Sequence, residues 1–325
     1  MRDELLQKAF IPPIERVDAV LDTDTYNEID DQFALSYMVR SSDKINLKAI
    51  YAAPFFNQNS TSPADGMERS YNEIFNILTL MGEEELKKCV YRGSTSYLPD
   101  EKTPVISDAA EHLVNLAMNY SSENPLYVVA IGAITNVASA LLIKPEIAER
   151  IVLVWLGGHA FDWPNTKEFN MYQDVAGARV VFDSKAPVVQ LPCNGVVSAF
   201  RISGDDMRAR LFGKNELCTY LTTHSEEEVA RYVKPGDAWS RVIWDVTAVA
   251  WITGGNKNGN AFMDYRIVPT PICEYDFTYS FDNTRHKMVY AYNIKRDQLF
   301  NDMIKKVIQF DFIVTVRSRN SVVGI

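Results

Sequence analysis

No stretch of this 325-residue chain is apolar for long enough to span a bilayer, and no sustained hydrophobic run follows the acidic start Met1-Arg2-Asp3-Glu4. Neither a secretory leader nor a transmembrane helix is expected, and a cytoplasmic protein is. Basic residues are scarce too: 33 Lys and Arg stand against 42 Asp and Glu, a formal charge of −9 with a pI near 5.1. A nucleic-acid surface normally shows as a basic patch, so the partner is expected to be a small molecule rather than a polynucleotide or a membrane. Cysteine is sparse. Cys89, Cys193, Cys218 and Cys273 are widely spaced, which fits reduced thiols better than a disulfide framework or a zinc site. Linkers, internal repeats and low-complexity tracts are missing as well, so residues 1–325 are expected to form one domain. With 47% hydrophobic and 23% charged residues there is no compositional case for disorder.

What is present is carboxylate, concentrated at one place. Asp22-Thr23-Asp24-Thr25-Tyr26-Asn27-Glu28-Ile29-Asp30-Asp31 holds five acidic side chains between an apolar run (Val17, Ala19, Val20, Leu21) and an apolar helical pattern (Phe33, Ala34, Tyr37, Met38). Carboxylates crowded at a strand end repel one another unless something cationic neutralises them. Calcium and magnesium both prefer oxygen ligands, and calcium accepts the larger, less regular shell that a strand end plus distant loops would supply. Helix capping is the plainer explanation. Asn27 or Glu28 could cap, and Asp30 and Asp31 would favour a first turn, but capping leaves Asp22 and Asp24 on the strand unexplained. An EF-hand loop is excluded by Tyr26 at a ligand position, Asn27 at the glycine position and Phe33 at the closing glutamate position.

Periodicity then alternates along the chain. Strands are predicted over Arg16–Thr25, Ile45–Ala53, Val90–Tyr91, Leu126–Gly132, Ile151–Leu156 and Pro187–Leu191. Between them, helices are predicted over Asp30–Arg40, Pro63–Met81, Asp108–Tyr120, Thr135–Leu142 and Gln173–Asp183. Apolar strands alternating with helices predict an α/β protein with a mostly parallel, doubly wound, Rossmann-like sheet covered on both faces. Beyond Ser203 helices at Asp206–Phe212, Glu216–Val233 and Trp244–Thr253 predict a helical lobe over the C-terminal strand ends. Alternation at Lys287–Tyr292 and a helix near Gln298–Ile308 follow, and Phe310–Ile325 reads equally as strand or tail. Ligands in such sheets sit outside the C-terminal strand ends. The polar clusters Asp22–Asp31, Asn57–Ser62, Ala133–Asn136 and Gly157–Asn170 fall there.

Four segments in order resemble the nucleoside hydrolases, calcium-dependent enzymes often labelled inosine-uridine preferring. They are the aspartate cluster, similar to a strand ending D-x-D followed by D-D; Gly132-Ala133-Ile134-Thr135-Asn136-Val137-Ala138, similar to G-P-L-T-N-I-A; Glu168-Phe169-Asn170 followed by Asp174; and Trp244-Asp245 with Ala248 and Ala250, similar to the stretch that begins H-D-P. The resemblance spans about residues 16–255. It implies calcium ligands at Asp24, Asp31 and Asp245 with the main-chain carbonyl of Thr135, and Asp24 as the general base acting on water. It implies Asp30, Glu168 and Asn170 as holders of the ribose hydroxyls, with Asn57 or Asn59 added, and Asp22 as a carboxylate orienting the ligands from behind.

The chain also departs from that pattern. Five residues, Thr25 to Ile29, separate D-x-D from D-D where the family usually has three, and its P-G is missing, which brings Tyr26, Asn27 or Glu28 within reach of the sugar. Trp244 stands where many members place the histidine that protonates the leaving base, and Gly93–Asp108 lacks the histidine-glycine loop. Either the base leaves stacked on an indole (Trp163, Trp239 or Trp244) without a side-chain acid, or another group such as His159 serves. Two readings compete. In a phosphoryl-transfer enzyme of haloacid dehalogenase type, Asp22 would be the nucleophile and Asp24 the acid/base with magnesium. A ribosyl-ligand binding protein would keep the sugar clamp without turnover. A homo-oligomer is the expected assembly for a member of the family.

Overall fold

The computed structural model describes residues 8–309; the acidic start and the Phe310–Ile325 stretch lie outside the described residues. Its frame is one eight-stranded sheet. Strands β1 (Val17–Thr23), β2 (Ile45–Ala52), β3 (Val90–Arg92), β4 (Leu126–Ala130), β5 (Ile151–Leu156) and β6 (Val188–Leu191) are all mutually parallel. Two short strands, β7 (Arg201–Ser203) and β8 (Ser240–Val242), then pair with each other as a separate antiparallel ribbon. The chain returns to the main sheet with β9 (Met263–Pro269), antiparallel at the edge, and β10 (Lys287–Ile294), parallel to β6. The order across the sheet is β9-β10-β6-β5-β4-β1-β2-β3. The doubly wound α/β architecture predicted from the alternation is the one observed.

Alternation inside the apolar strands explains why the sheet is covered twice. Leu21, Val129, Val154 and Leu156 pack into one core layer. Their neighbours Val20, Val128, Leu153 and Trp155 pack into the other. Helices α1 (Asp30–Val39) and α2 (Pro63–Met81) belong to the first layer, and α3 (Asp108–Ala117) and α4 (Thr135–Ile143) to the second. Ends follow local chemistry: Ser62 caps α2 by accepting from the Asp65 amide, with Pro63 in the first turn and Gly82 left-handed at the close.

Three boundaries differ from the sequence reading for identifiable reasons. β1 stops at Thr23 because the Asp24 carbonyl accepts from the Asn27 amide at 2.7 Å and turns the chain. The predicted helix Gln173–Asp183 is α6 (Val175–Asp183), and a short helix that was not predicted, α5 (Phe169–Gln173), precedes it. They are broken at Asp174, whose side chain caps α6 through the Gly177 amide. The edge strand β9 was not predicted; its sequence MDYRIVP has a half-exposed pattern set by pairing with β10. The helical lobe consists of α7 (Gly204–Arg210), α8 (Glu216–Val229) and α9 (Val246–Thr253), and α10 (Arg296–Val307) follows β10. Among the described residues no helix is long and apolar enough to cross a membrane.

Candidate active site

The sheet changes direction of growth at β1, which has β2 on one side and β4 on the other. Such a switch point opens a crevice beyond the strand ends. Asp24 lies in it, 1% exposed, against Gly132 just past β4. A Cβ on Gly132 would meet the Asp24 carboxyl carbon at 3.1 Å and the Ala53 methyl at 3.0 Å, so glycine is what lets the two strand ends close on each other. Both Asp24 carboxylate oxygens are buried without a hydrogen-bond partner.

Three more carboxylates meet it from helix starts. Asp30 and Asp31 open α1, Asp245 immediately precedes α9, and those two helices pack together. Carboxylate oxygens of Asp30, Asp31 and Asp245 lie within 4.8 Å of one another, all buried. Thr23 Oγ1 donates to Asp31 Oδ1 at 2.5 Å and fixes that side chain. Burial, then the charges of Asp31 and Asp30, push Asp24 well above the ordinary carboxyl range. Burial followed by neighbouring carboxylates does the same for Asp31 and Asp245. Burial raises Asp30 to about 7 against the charge of Arg241. Unpartnered buried acceptors and mutually repelling carboxylates form an oxygen-only donor set, which fits a hard divalent cation.

A cavity of about 250 Å³ opens from this cluster. Glu168 and Asn170 also line it. Glu168 caps α5, its Oε1 accepting from the Asn170 amide at 2.9 Å and its Oε2 from the Gly158 and Met171 amides at 2.9 and 3.0 Å. Burial raises it to about 7. Asn170 donates its side-chain amide to the carbonyls of Ile131 and Leu156, both at 3.0 Å. That locks the side chain across the ends of β4 and β5.

The remaining predicted residues divide. His159 and Trp244 line the cavity. His159 Nδ1 accepts from the Asn194 amide at 3.2 Å, and the Asn194 side chain lies 3.4 Å from Nε2. Burial lowers its pKa, so the ring is neutral near pH 7, and with Nδ1 accepting, its single proton sits on Nε2. Of the three indoles, Trp244 lines the cavity, whereas Trp239 covers Gly204 and Trp163 sits 5.8 Å from the His159 ring with 44% of its surface exposed. Asn57 and Asn59 do not reach the cavity. Asn57 Nδ2 donates to Asn27 Oδ1 at 2.5 Å and Asn59 Nδ2 to the Asn27 carbonyl at 2.9 Å, so both brace Asn27, which does line it. Within the longer loop Glu28 also lines the cavity. Tyr26 stands 41% exposed beside Arg69. The Thr135 hydroxyl donates to Asp174 Oδ2 at 2.6 Å.

Asp22 sits outside the cavity lining and works on the scaffold. Its Oδ1 accepts from Asn136 Nδ2 at 2.7 Å, and the same amide reaches the Ala52 carbonyl at 3.3 Å while Asn136 Oδ1 accepts from the Ser94 amide at 2.7 Å. One side chain thus ties the ends of β1 and β2 to the segment after β3. Burial raises Asp22 to about 7. The placement also removes the nucleophile that a phosphoryl-transfer reading needs. Asn136→Ala is expected to lower stability by about 3 kcal/mol, because it strands buried donors and acceptors on three segments; an unchanged urea midpoint would contradict that bracing role.

Sequence reasoning gave no site role to Cys193 and Asn194, which line the cavity, or to Arg241 beside Asp30, and named Asp174 only as part of the segment after Asn170. Asp174 carried a readable signal, since an aspartate three residues before Gly177 is a helix start. Nothing local marks Arg241, whose partners come from elsewhere in the chain.

The model of the inosine-uridine preferring nucleoside hydrolases matches residues 19–301. The chain belongs to that family. Among the relatives of this nucleoside hydrolase is the pyrimidine-specific ribonucleoside hydrolase RihA of Salmonella paratyphi A, 28% identical over 164 residues, which are 48% of this chain and 50% of that protein. RihA of Escherichia coli O1:K1 is 39% identical over 71 residues, 21% of this chain and 23% of that protein. The chain therefore spans about half the length, or less, of the curated relatives it matches. Solved nucleoside hydrolases share the fold over nearly the whole chain. A plant nucleoside hydrolase superposes with a TM-score of 0.70 at 18% identity, covering 91% of this chain and all of that one. The purine-preferring ribonucleoside hydrolase from Gardnerella vaginalis gives 0.66 at 19% identity, covering 90% and 98%.

Proposed function

We propose that this member of the family hydrolyses the N-glycosidic bond of ribonucleosides to ribose and free base in a calcium-dependent reaction, with Asp24 as the general base. The observation that carries the reading is the Asp24 carboxylate: buried, without a partner on either oxygen, and facing the cavity beside Asp31 and Asp245. Family membership and the names of the relatives support the reaction class. The names differ on the base, pyrimidine-specific for one and purine-preferring for another, so the base is left for experiment to assign.

Asp24, Asp31 and Asp245, with the Thr135 carbonyl, would hold the calcium ion. When bound, that ion lowers the pKa of water and gathers the sugar hydroxyls. Asp24 takes the proton of the attacking water. Asp30, Glu168 and Asn170 hold the ribose hydroxyls, and the backbone donors on Glu168 keep its carboxylate oriented while its remaining lone pairs accept from sugar. Cleavage passes through an oxocarbenium-like sugar, which the surrounding carboxylates stabilise as positive charge develops. Trp244 and His159 line the wall offered to the base. His159 is neutral near pH 7 because burial lowers its pKa, so no imidazolium proton is at hand and departure of the base against the Trp244 indole is the reading we favour over protonation by this histidine.

The test is a panel of purine and pyrimidine ribonucleosides with calcium-replete protein, following free ribose with a reducing-sugar assay. Release of ribose from at least one nucleoside, dependent on calcium, is the expected result. Calcium binding without ribose from any nucleoside would overturn the hydrolase reading and leave a ribosyl-binding protein or a different ribosyl substrate.

A further inference from the structure

Arg241 on β8 is 7% exposed and surrounded by carboxylates from three directions. Its Nη2 lies 2.8 Å from Glu28 in the loop after β1 and 3.9 Å from Asp30, and its Nη1 lies 2.9 Å from Glu228 on α8. Asp30 is also a member of the cluster whose oxygens lie within 4.8 Å of those of Asp31 and Asp245. One carboxylate is therefore shared between a fixed guanidinium and the place where a cation would sit. Glu28 belongs to the five-residue stretch Thr25–Ile29. Its contact is shorter than that of Asp30, so it holds the guanidinium towards itself.

We propose that Arg241 is a resident counter-cation of the metal cluster, a positioning residue whose charge, held beside Asp30, opposes calcium at the neighbouring Asp31 and Asp245, and that Glu28 sets the strength of that opposition by drawing the guanidinium away. This rests on the reading that the cluster holds calcium. The physical reason is Coulombic. A fixed positive charge beside a shared carboxylate opposes a divalent ion, and the opposition is strong where water is excluded. Glu28, 47% exposed at its side chain, and Glu228, 21% exposed, offset that opposition from the far side. In the absence of metal the same guanidinium keeps Asp30 and the loop in place and joins them to α8.

The signs of two substitutions separate this from a merely structural role. Arg241→Met removes the opposing charge, and metal-free protein titrated calorimetrically with calcium chloride should bind about tenfold more tightly. Glu28→Gln removes the group that draws Arg241 off, so binding should weaken by a factor of about three to ten. Arg241→Lys keeps the charge without the fork to Glu28 and Glu228, and calcium affinity should stay closer to wild type than in Arg241→Met. Arg208→Met breaks the exposed Arg208–Glu226 pair between α7 and α8 and should leave affinity unchanged. If Arg241→Met does not fold, Glu228→Gln replaces it and should weaken binding as Glu28→Gln does. Weaker or unchanged binding in Arg241→Met, or no change in Glu28→Gln, would overturn the inference while leaving calcium-dependent hydrolysis standing. Failure of the wild-type protein to bind calcium would overturn both.

Discussion

Asp24→Asn is expected to lower kcat for ribose release by about 10²- to 10⁴-fold, the contribution usual for a positioned proton acceptor. The substitution is nearly isosteric, so the space beside Gly132 that holds the carboxylate can hold the amide. What changes is charge. Asp24 is buried beside Asp31 and Asp30, both of which oppose its ionisation, so asparagine relieves repulsion in the metal-free protein. The amide can also donate to a neighbouring carboxylate, which no group now does for Asp24. Activity and metal-free stability should therefore move in opposite directions: turnover collapses while the thermal midpoint near pH 8 rises by about 1–2 °C, as expected for about 1 kcal/mol in a chain of this size. The two measurements are a reducing-sugar assay and a thermal melt in chelator. If the Asp24→Asn variant retained more than about a tenth of wild-type turnover, the loss would fall short of what a positioned base supplies and Asp24 would lose that role.

The second large effect is on stability against pH. Asp22 and Asp30 stand at about 7 instead of the ordinary 3.8, and Glu168 at about 7 instead of 4.5, with burial the leading cause in each. A carboxyl raised on folding binds more protons in the native state than in the unfolded chain between those values. Its contribution to stability is complete below about pH 4 and is lost as pH rises through 7. Each such group removes up to about 1.4 kcal/mol per pH unit across that window. Protein held in chelator should consequently melt at progressively lower temperature from about pH 5 to about pH 8. Saturating calcium should flatten the trend, since a bound cation favours the ionised forms and adds binding energy to the folded state alone. A chelated midpoint that stays level or climbs over the same range would mean that these carboxyls are not raised as described.

Both effects come from carboxylates that the linear sequence displays openly, and this bears on how much could be read from it. The apolar runs ending in polar clusters at Asp22–Asp31, Ala133–Asn136 and Gly157–Asn170 determine a parallel sheet with its ligands at the C-terminal strand ends, because strand burial, helix capping and turn chemistry all act within a few residues. The crowding of Asp22, Asp24, Asp30 and Asp31 makes a cation an expected neutraliser before the fold is known, because charge density is a local property.

Which of those carboxylates come together is a tertiary matter. Asp245 reaches Asp31 because α9 packs on α1, whereas Asp22, at the end of β1 and two residues before Asp24, turns away from the cavity and ends on Asn136. Asn57 and Asn59 were legible as polar residues at a strand end, yet Asn27, projecting from the longer loop, stands between them and the cavity. Arg241 had no sequence signal at all. Its partners Glu28, Asp30 and Glu228 are brought to it by the pairing of β7 with β8 and by α8, and a lone arginine in an apolar stretch says nothing about what will surround it until those elements are packed.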